Sequence, residues 1–279
     1  MNGFILVAAL VVGTWNGNWF PSGRAEHRAH PEVEAATSRA AAAMLAAGLK
    51  AVDPDGTNDV VLCLNEMRGP RAVSNLVEQI GRPRLRIAAV SGYRRRDRFD
   101  MQQDAIVTTL PVVEKGWARW RSAKEFTPPR GFVYAALDLG MVTTTVYAVH
   151  LKSDYGAGRN EQLLEVNRRK RATVMAQLVG ELPKDGAVVV MGDFNADCWG
   201  KAAAKETLFV SLKEAGLTNL LAALPPGERY THPNRRYGNS TLDYVFCRGL
   251  SAAGRPMTMP NEGLSDHFAV FAMLQVEER

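Results

Sequence analysis

Runs of hydrophobic residues, many of them β-branched, recur along the chain between polar segments. Largely apolar runs of four to nine residues are typical of strands that are buried on both faces. The pattern therefore predicts a β-rich core. The predicted strands are residues 60–64, 87–90, 105–109, 133–137, 143–151, 187–191, 242–246 and 268–276.

Helical patterns lie between some of these strands. Four apolar residues fall on one helix face: Val73, Leu76, Val77 and Ile80. The alanine-rich segment 33–49 has high helix propensity, and Asn160 is suited to cap a long third helix. A fourth helix is predicted over 203–215. The basic run at 168–171 is predicted to be a solvated face of the third helix.

The order of these elements restricts the fold. In some places strands follow one another directly, and in others a helix intervenes. This mixture disfavours a doubly wound parallel sheet and favours an α/β fold of two packed, mainly antiparallel sheets with helices outside. Since no linker or repeat divides the chain, we expect residues 1–279 to form one domain.

The apolar segment 4–12 near the N-terminus has two interpretations. It has the length of a signal-peptide core, but no Lys or Arg precedes it and no small-residue cleavage site follows. It is too short to span a bilayer as a helix. We predict a buried first strand that leads into Asn16, and a cytoplasmic protein. Export is the alternative.

Composition and charge narrow the class of protein. With 279 residues, 46% of them hydrophobic, the chain is outside the disordered and fibrous classes. Its net charge of +5 permits a polyanionic partner. Cys63, Cys198 and Cys247 are widely spaced, which disfavours a disulfide scaffold or a structural zinc site.

Residues that can bind a metal or move a proton lie at or near the ends of several strands. At one position, such a residue is most simply a polar group that satisfies a turn. Recurrence at so many ends instead indicates a shared site. The residues are Asn16, Glu66, His150, Asp193, Asn195, Asp243, Asp266 and His267.

The residue types in this set indicate hydrolysis of a phosphate ester. Hard oxygen ligands suit Mg²⁺ or Mn²⁺ better than Zn²⁺, and a Mg²⁺ ion with few protein ligands keeps positions open for water and phosphate. His150 and His267 can move protons near neutral pH. A carboxylate such as Asp243 can hold His267 in one orientation.

Six short motifs carry a resemblance to a known family. TWNGNWF, LNEMR, HLKS, GDFNA, LDYVF and SDH occur in that order from the first strand to His267. The chain resembles the endonuclease/exonuclease/phosphatase superfamily, which includes deoxyribonuclease I and exonuclease III-type repair nucleases. The resemblance implies a four-layer α/β sandwich with its site at one edge of two packed sheets. It also implies hydrolysis of phosphodiesters or phosphomonoesters with Mg²⁺ or Mn²⁺.

The resemblance also implies roles for the residues around the metal. Glu66 corresponds to the principal metal ligand, with Asn16 beside it, and Asp266 supports a metal or the surrounding network. Asp193 corresponds to the group that orients or deprotonates the attacking water. Asn195 would hold a phosphate oxygen.

The histidines have separate implied roles. His267 would contact the scissile phosphate with Asp243 behind it. His150 matches a histidine of the deoxyribonuclease I-like branch that helps to protonate the leaving oxygen. Arg68 matches an arginine of that branch that reaches the nucleic acid, although its spacing alone fits a solvated arginine equally well.

Further basic residues are candidates for substrate contact. Tyr93, Arg94, Arg95 and Arg96 form an arginine-rich loop with an aromatic neighbour, which could grip a phosphate backbone or be merely solvated. Arg130 is a similar candidate. These features favour a monomeric enzyme that acts on DNA and has no membrane partner. Among DNA-cleaving enzymes, we favour an exonuclease or a repair nuclease.

Other functions stay open at this point. Within the family they are a nonspecific endonuclease and a phosphatase or phosphodiesterase acting on inositol lipids or sphingomyelin. A protein of another class, an inactive nucleic-acid-binding module, is the remaining alternative.

Overall fold

Two β-sheets form the centre of the protein. The computed structural model describes residues 9–22, 30–95, 98–140, 142–236 and 238–276. In spatial order, the first sheet contains β13 (Leu250–Ala252), β15 (Ala269–Val276), β1 (Ala9–Phe20), β2 (Asp59–Met67), β6 (Gln103–Thr108) and β3 (Arg86–Val90), with β14 (Met257–Met259) also paired to β15.

The second sheet contains β11 (Thr218–Asn219), β12 (Asp243–Arg248), β10 (Ala187–Asp193), β9 (Thr143–His150), β8 (Gly131–Asp138) and β7 (Val112–Arg119). A separate hairpin consists of β4 (Arg94–Arg95) and β5 (Arg98–Phe99). Both sheets are mainly antiparallel, since β1–β2 and β9–β10 are the parallel pairs among the described strands.

Within the described residues, four α-helices cover the outer faces of the sheets. Helices α1 (Pro31–Val52) and α2 (Pro70–Ile80) pack on the first sheet, and α3 (Glu161–Glu181) and α4 (Leu208–Glu214) pack on the second. The order helix, sheet, sheet, helix confirms the predicted sandwich. As expected, the Asn160 side chain caps α3 by accepting a hydrogen bond from the Leu163 backbone N–H.

The described residues form a hydrophobic core of three parts. Residues such as Val12, Cys63 and Val189 fill the space between the two sheets. Trp15 lies in the cluster beneath α1 and α2, and Phe194 lies in the cluster beneath α3 and α4. Burying one large apolar side chain contributes roughly 1.5–3 kcal/mol, so three such layers hold the strand ends in fixed positions.

Two helix predictions need correction. The segment predicted as one helix over 203–215 contains a short 3-10 turn, Ala203–Lys205, before α4. The 3-10 turn and α4 are separated at Glu206, which has a non-helical backbone (φ −91°, ψ 77°). Its carboxylate pairs with Arg171 of α3, which is fully buried and also pairs with Asp154.

The predicted solvated face at 168–171 is therefore wrong for two of its members. Arg168, like Arg171, is buried, and it pairs with Glu161 and Glu165. Carboxylates from three segments make this burial tolerable, because a buried charge needs paired and hydrogen-bonded partners.

The first strand is confirmed as far as the structure describes it. Strand β1 begins at Ala9, so the earlier part of the apolar segment 4–12 lies outside the described residues. Strand β1 is central in its sheet, between β15 and β2. Within the described ranges, no helix is long and apolar enough to cross a membrane.

Candidate functional site

The site lies where the ends of the central strands of both sheets meet. In the second sheet, Asp193 at the end of β10 is in register with His150 on β9 and with Asp243 on β12. In the first sheet, Asn16 of β1 is in register with Asn65, which precedes Glu66 on β2. Strand register thus brings together residues that lie far apart in sequence.

Unusual backbone conformations occur at the functional residues. Glu66 has a φ of 58° at a bulge in β2, and Asn195 has a φ of 50°. Asn18 and Trp19, just after Asn16, have φ values of 47° and 59°. The left-handed region costs non-glycine residues about 1–2 kcal/mol each. Such strain clusters at functional sites, where it directs side chains that regular strands would point elsewhere.

Asp193 is the centre of the hydrogen-bond network. Its Oδ2 accepts from Asn16 Nδ2 at 2.9 Å and from Asn195 Nδ2 at 2.9 Å, and its Oδ1 accepts from the Asn195 backbone N–H at 2.8 Å. Burial raises the pKa of Asp193 to about 7, although the charge of His267 acts in the opposite direction. A carboxyl group with such a pKa can bind or release a proton near neutral pH.

His267 is held by a carboxylate behind it. Its Nδ1 lies 2.7 Å from Asp243 Oδ2, and the same oxygen accepts from Thr231 Oγ1 at 2.7 Å. Burial lowers the pKa of His267, but the charges of Asp243 and Asp193 outweigh it and raise that pKa to about 10. The ring is therefore an imidazolium at neutral pH, with Nε2 on the side of Asp193, 3.9 Å from its Oδ2.

His150 has the opposite electrostatic character. Its Nε2 lies 3.5 Å from Glu66 Oε1 and 3.6 Å from Asp193 Oδ2. Burial, together with the charges of Arg130 and His267, lowers its pKa well below the usual value, so the ring is neutral. Its Nδ1 is buried and has no hydrogen-bond partner within the described part of the chain.

The Glu66 carboxylate fits a divalent metal ion. Oε1 accepts from Asn16 Nδ2 at 3.2 Å, whereas Oε2 is buried and has no hydrogen-bond partner among the described residues. A buried carboxylate oxygen without a donor is costly unless a cation binds it. Asn16 Oδ1 accepts from the Asn18 backbone N–H, at 2.9 Å, so it faces away from Glu66. Coordination through that oxygen requires the amide to rotate.

Asp266 and Asn195 have surroundings that the sequence did not indicate. The Asp266 carboxylate is half exposed and faces Ser265 Oγ at 3.4 Å and His232 Nε2 at 3.9 Å. Asn195 uses its side-chain amide on Asp193 and on the Leu151 carbonyl, at 3.2 Å. Asn195 thus supports Asp193 in the structure. Asp266 lies next to His232, a histidine that the sequence did not indicate as part of the site.

The predicted substrate-binding residues are dispersed. Arg130, with a φ of 60°, lies close to the site and donates to Gln102 Oε1 at 2.5 Å and to the Leu151 carbonyl at 3.5 Å. Arg68 is directed toward α1, where its Nη1 lies 2.5 Å from Glu34 Oε1 and its Nη2 donates to Ser22.

The arginine-rich loop is mostly on the surface. Arg94 and Arg95 are exposed on the β4–β5 hairpin, and Arg96 lies outside the described residues. Tyr93 is fully buried against Trp117, with ring centroids 5.6 Å apart, and so presents no stacking face in this conformation.

Two further residues support the site and were not identified from the sequence. Asn65 accepts from the Asp193 backbone N–H at 3.2 Å and donates to Asp104 Oδ1 at 2.8 Å. Burial raises the pKa of Asp104 to about 7. Their signal in the sequence is weak, because Asn65 precedes a more conspicuous Glu66 and Asp104 lies near the start of an ordinary apolar strand.

We compared the chain with known protein families and with curated protein sequences. Residues 13–267 match the Endonuclease/Exonuclease/phosphatase family. A comparison with curated protein sequences gives no match.

Solved structures share the fold at low identity. A family protein from Leptotrichia buccalis is 14% identical, with 96% of this chain and 100% of that chain covered and a TM-score of 0.67. A humanized D. rerio TDP2 is 18% identical (95% and 98% covered, TM-score 0.65). Sphingomyelinase C from Streptomyces griseocarneus is also 18% identical (97% and 100% covered, TM-score 0.60). Identities this low show the fold alone.

Proposed function

Because the chain belongs to the endonuclease/exonuclease/phosphatase family, we propose that it is a divalent-metal-dependent phosphodiesterase that cleaves DNA. The observation that carries the proposal is the set of groups around Asp193. Within 4 Å of its carboxylate lie two amides, a neutral histidine and a charged histidine. Metal binding, water activation and phosphate binding each have a candidate group there.

Glu66 is proposed as the principal ligand for Mg²⁺ or Mn²⁺, and Asn16 is beside it. Asp266 remains a predicted ligand. When bound, the ion supplies positive charge next to a phosphate oxygen and keeps coordination positions open for water.

Asp193 is proposed to accept the proton of the attacking water. Its pKa of about 7 is suited to this, since the best general base has a pKa near the working pH. Asn16 and Asn195 hold the carboxylate through three hydrogen bonds, which fixes its orientation before substrate arrives.

The two histidines are proposed to act on the phosphate and on the leaving group. His267 carries a proton on Nε2 and can donate it in a hydrogen bond to a phosphate oxygen, where negative charge develops. Neutral His150 is proposed to donate a hydrogen bond from Nε2 to the leaving oxygen, whose proton then comes from solvent. Asn195 is also proposed to contact a phosphate oxygen, for which its amide N–H must leave the Leu151 carbonyl.

DNA is the proposed substrate for two reasons. The net charge is +5, and Arg94 and Arg95 are exposed on a hairpin that follows β3, the edge strand of the first sheet. In addition, D. rerio TDP2 has been solved with a single-strand DNA product. We propose a monomeric exonuclease or repair nuclease, with a nonspecific endonuclease as the alternative mode.

The test compares products from end-labelled linear, circular and abasic-site DNA in Mg²⁺ or Mn²⁺. A ladder from one end indicates an exonuclease, nicked circles an endonuclease, and one incision an abasic-site enzyme. Asp193→Asn and His267→Ala should abolish cleavage while leaving the circular dichroism spectrum unchanged. Full activity in both variants contradicts the assignment. DNA binding without cleavage in either metal indicates an inactive binding module.

A phosphodiesterase on sphingomyelin or an inositol lipid is the second candidate. The similarity of the fold to sphingomyelinase C supports it. Release of soluble phosphate or phosphocholine from lipid vesicles, with no nucleotide released from DNA, would favour this function over the first.

A further inference from the structure

His232 lies beside the candidate active site but has no role in the function proposed above. It is paired with Ser240 through an isolated β-bridge, and the Phe268 backbone N–H donates to the Thr231 carbonyl at 2.6 Å. This contact between neighbouring segments brings His232 and His267 together. Their ring centroids are 5.1 Å apart in an edge-to-face arrangement.

Asp266 completes a group of three candidate ligands. Its Oδ2 lies 3.9 Å from His232 Nε2, and one ligand atom from each of His232, Asp266 and His267 lies within 4.8 Å of the others. Ligand atoms around a tetrahedral Zn²⁺ are about 3.3 Å apart, as bond lengths near 2.0–2.1 Å require. The ligand atoms must therefore move closer together to bind the ion. The Asp266 carboxylate can make such a movement, because its side chain is 54% exposed.

Existing hydrogen bonds hold this group in position. Asp243 binds Nδ1 of His267, which leaves Nε2 as the available ligand atom, and Thr231 anchors the same carboxylate. A histidine ligand backed by a carboxylate is the usual arrangement around zinc. Ser265 Oγ donates to the Asn16 carbonyl at 2.7 Å and accepts from the His267 backbone N–H at 3.0 Å, which fixes the segment that carries Asp266.

We propose that His232, Asp266 and His267 form a binding site for a divalent transition-metal ion such as Zn²⁺, so that Asp266 serves this ion instead of the ion at Glu66. Two imidazole nitrogens and one carboxylate oxygen suit zinc and its neighbours, whereas Mg²⁺ prefers oxygen ligands only. The ion takes the place of the proton on His267 Nε2, since a metal-bound imidazole nitrogen carries no proton.

Occupancy of this site has a consequence for catalysis, which rests on the proposed function. An ion on His267 Nε2 removes the hydrogen bond from that atom to the phosphate. Zn²⁺ should therefore inhibit Mg²⁺-dependent cleavage.

The binding test measures Zn²⁺ affinity by isothermal titration in excess Mg²⁺. His232→Phe keeps a ring against His267 but removes the ligand nitrogen, and His30→Ala removes an exposed histidine elsewhere. We expect one Zn²⁺ per wild-type chain, an affinity at least tenfold weaker in His232→Phe, and no change in His30→Ala. Equal affinity in the wild type and in His232→Phe overturns the site. If His232→Phe does not fold, Asp266→Asn replaces it, because that side chain is half exposed.

Two further readouts separate this inference from the proposed function. Co²⁺ bound to imidazole gives visible absorption bands that should disappear in His232→Phe, whether or not the protein cleaves DNA. For each variant, the cleavage rate with Zn²⁺ added is divided by its rate in Mg²⁺ alone. This ratio should fall with rising Zn²⁺ in the wild type and in His30→Ala, but not in His232→Phe. Zinc binding that depends on His232 in a protein that cleaves no DNA refutes the proposed function and supports the site. Cleavage with zinc inhibition that is independent of His232 does the reverse.

Discussion

The ion pair between Asp243 and His267 can be tested directly by Asp243→Asn. The two side chains are in contact at 2.7 Å, and the pKa of His267 is raised from 6.5 to about 10 despite burial. A rise of about 3.5 in pKa corresponds to roughly 5 kcal/mol in favour of the imidazolium. Asp243 is closer to the ring than Asp193, at 3.9 Å, so we assign at least half of that energy to Asp243. Asparagine can still accept the hydrogen bond but has no charge.

We therefore expect Asp243→Asn to lower the pKa of His267 by about 2 or more. The assay is an NMR pH titration of ¹⁵N-histidine-labelled protein without metal, with the signal assigned by a His267→Gln variant. Thr231→Val is the matched control. It removes the other hydrogen bond to Asp243 Oδ2 but keeps the charge, so the pKa of His267 should change by less than about 1.

The same pair predicts how stability depends on pH. Because the pKa of His267 is higher in the folded state, its stabilisation is complete below about pH 6.5 and is lost as the pH rises through about 10. Asp243→Asn should thus lower the free energy of unfolding by urea more at pH 6 than at pH 10. A wild-type pKa within one unit of 6.5, or one that Asp243→Asn leaves unchanged, would refute the reasoning.

Four other residues or residue pairs give further predictions. Burial raises the pKa of Asp104 to about 7, which costs stability as the pH rises from about 4 through 7. Asp104→Asn should therefore gain roughly 2–3 kcal/mol of unfolding free energy relative to the wild type between pH 5 and pH 8, measured in urea. Glu66→Gln should raise the Mg²⁺ concentration for half-maximal rate at least tenfold, and an unchanged metal titration would remove Glu66 from the ligands. Replacing Arg94 and Arg95 by alanine should reduce the slope of log affinity for DNA against log salt by about 0.7–0.9 for each phosphate that the hairpin no longer neutralises. An identical slope would show that the hairpin is only solvated. Arg171→Met removes the hydrogen-bonded partner of buried Glu206 and leaves only Arg168, whose Nε is 3.8 Å away, so it should cost roughly 3 kcal/mol in urea unfolding.

Much of the architecture could be predicted from the sequence. Continuous apolar runs indicated the central strands, because a strand buried on both faces has no polar positions to interrupt it. The predicted strands at 187–191 and 242–246 correspond to β10 and β12, and the cap at Asn160 begins α3 as expected. Shorter or more polar strands such as β7, whose residues are largely exposed, carry too little pattern and were missed.

The positions of charged and aromatic side chains could not be read from the sequence in the same way. Arg171 looks like a solvated helix residue until Glu206 and Asp154 are brought against it from other segments. Tyr93 lies in an arginine-rich loop, yet it is fully buried against Trp117. The burial of a polar or aromatic group depends on its partners, and those partners lie far away in the chain.

For the site, the sequence alone determined which residue types end the strands and the order in which the family motifs occur. Tertiary structure decided their relationships: Asp193 between His150 and Asp243 by strand register, Glu66 directed by a bulge, and His232 against His267. Hydrophobic periodicity is local and survives in the sequence. Distances and pKa values arise from contacts between residues that only folding brings together.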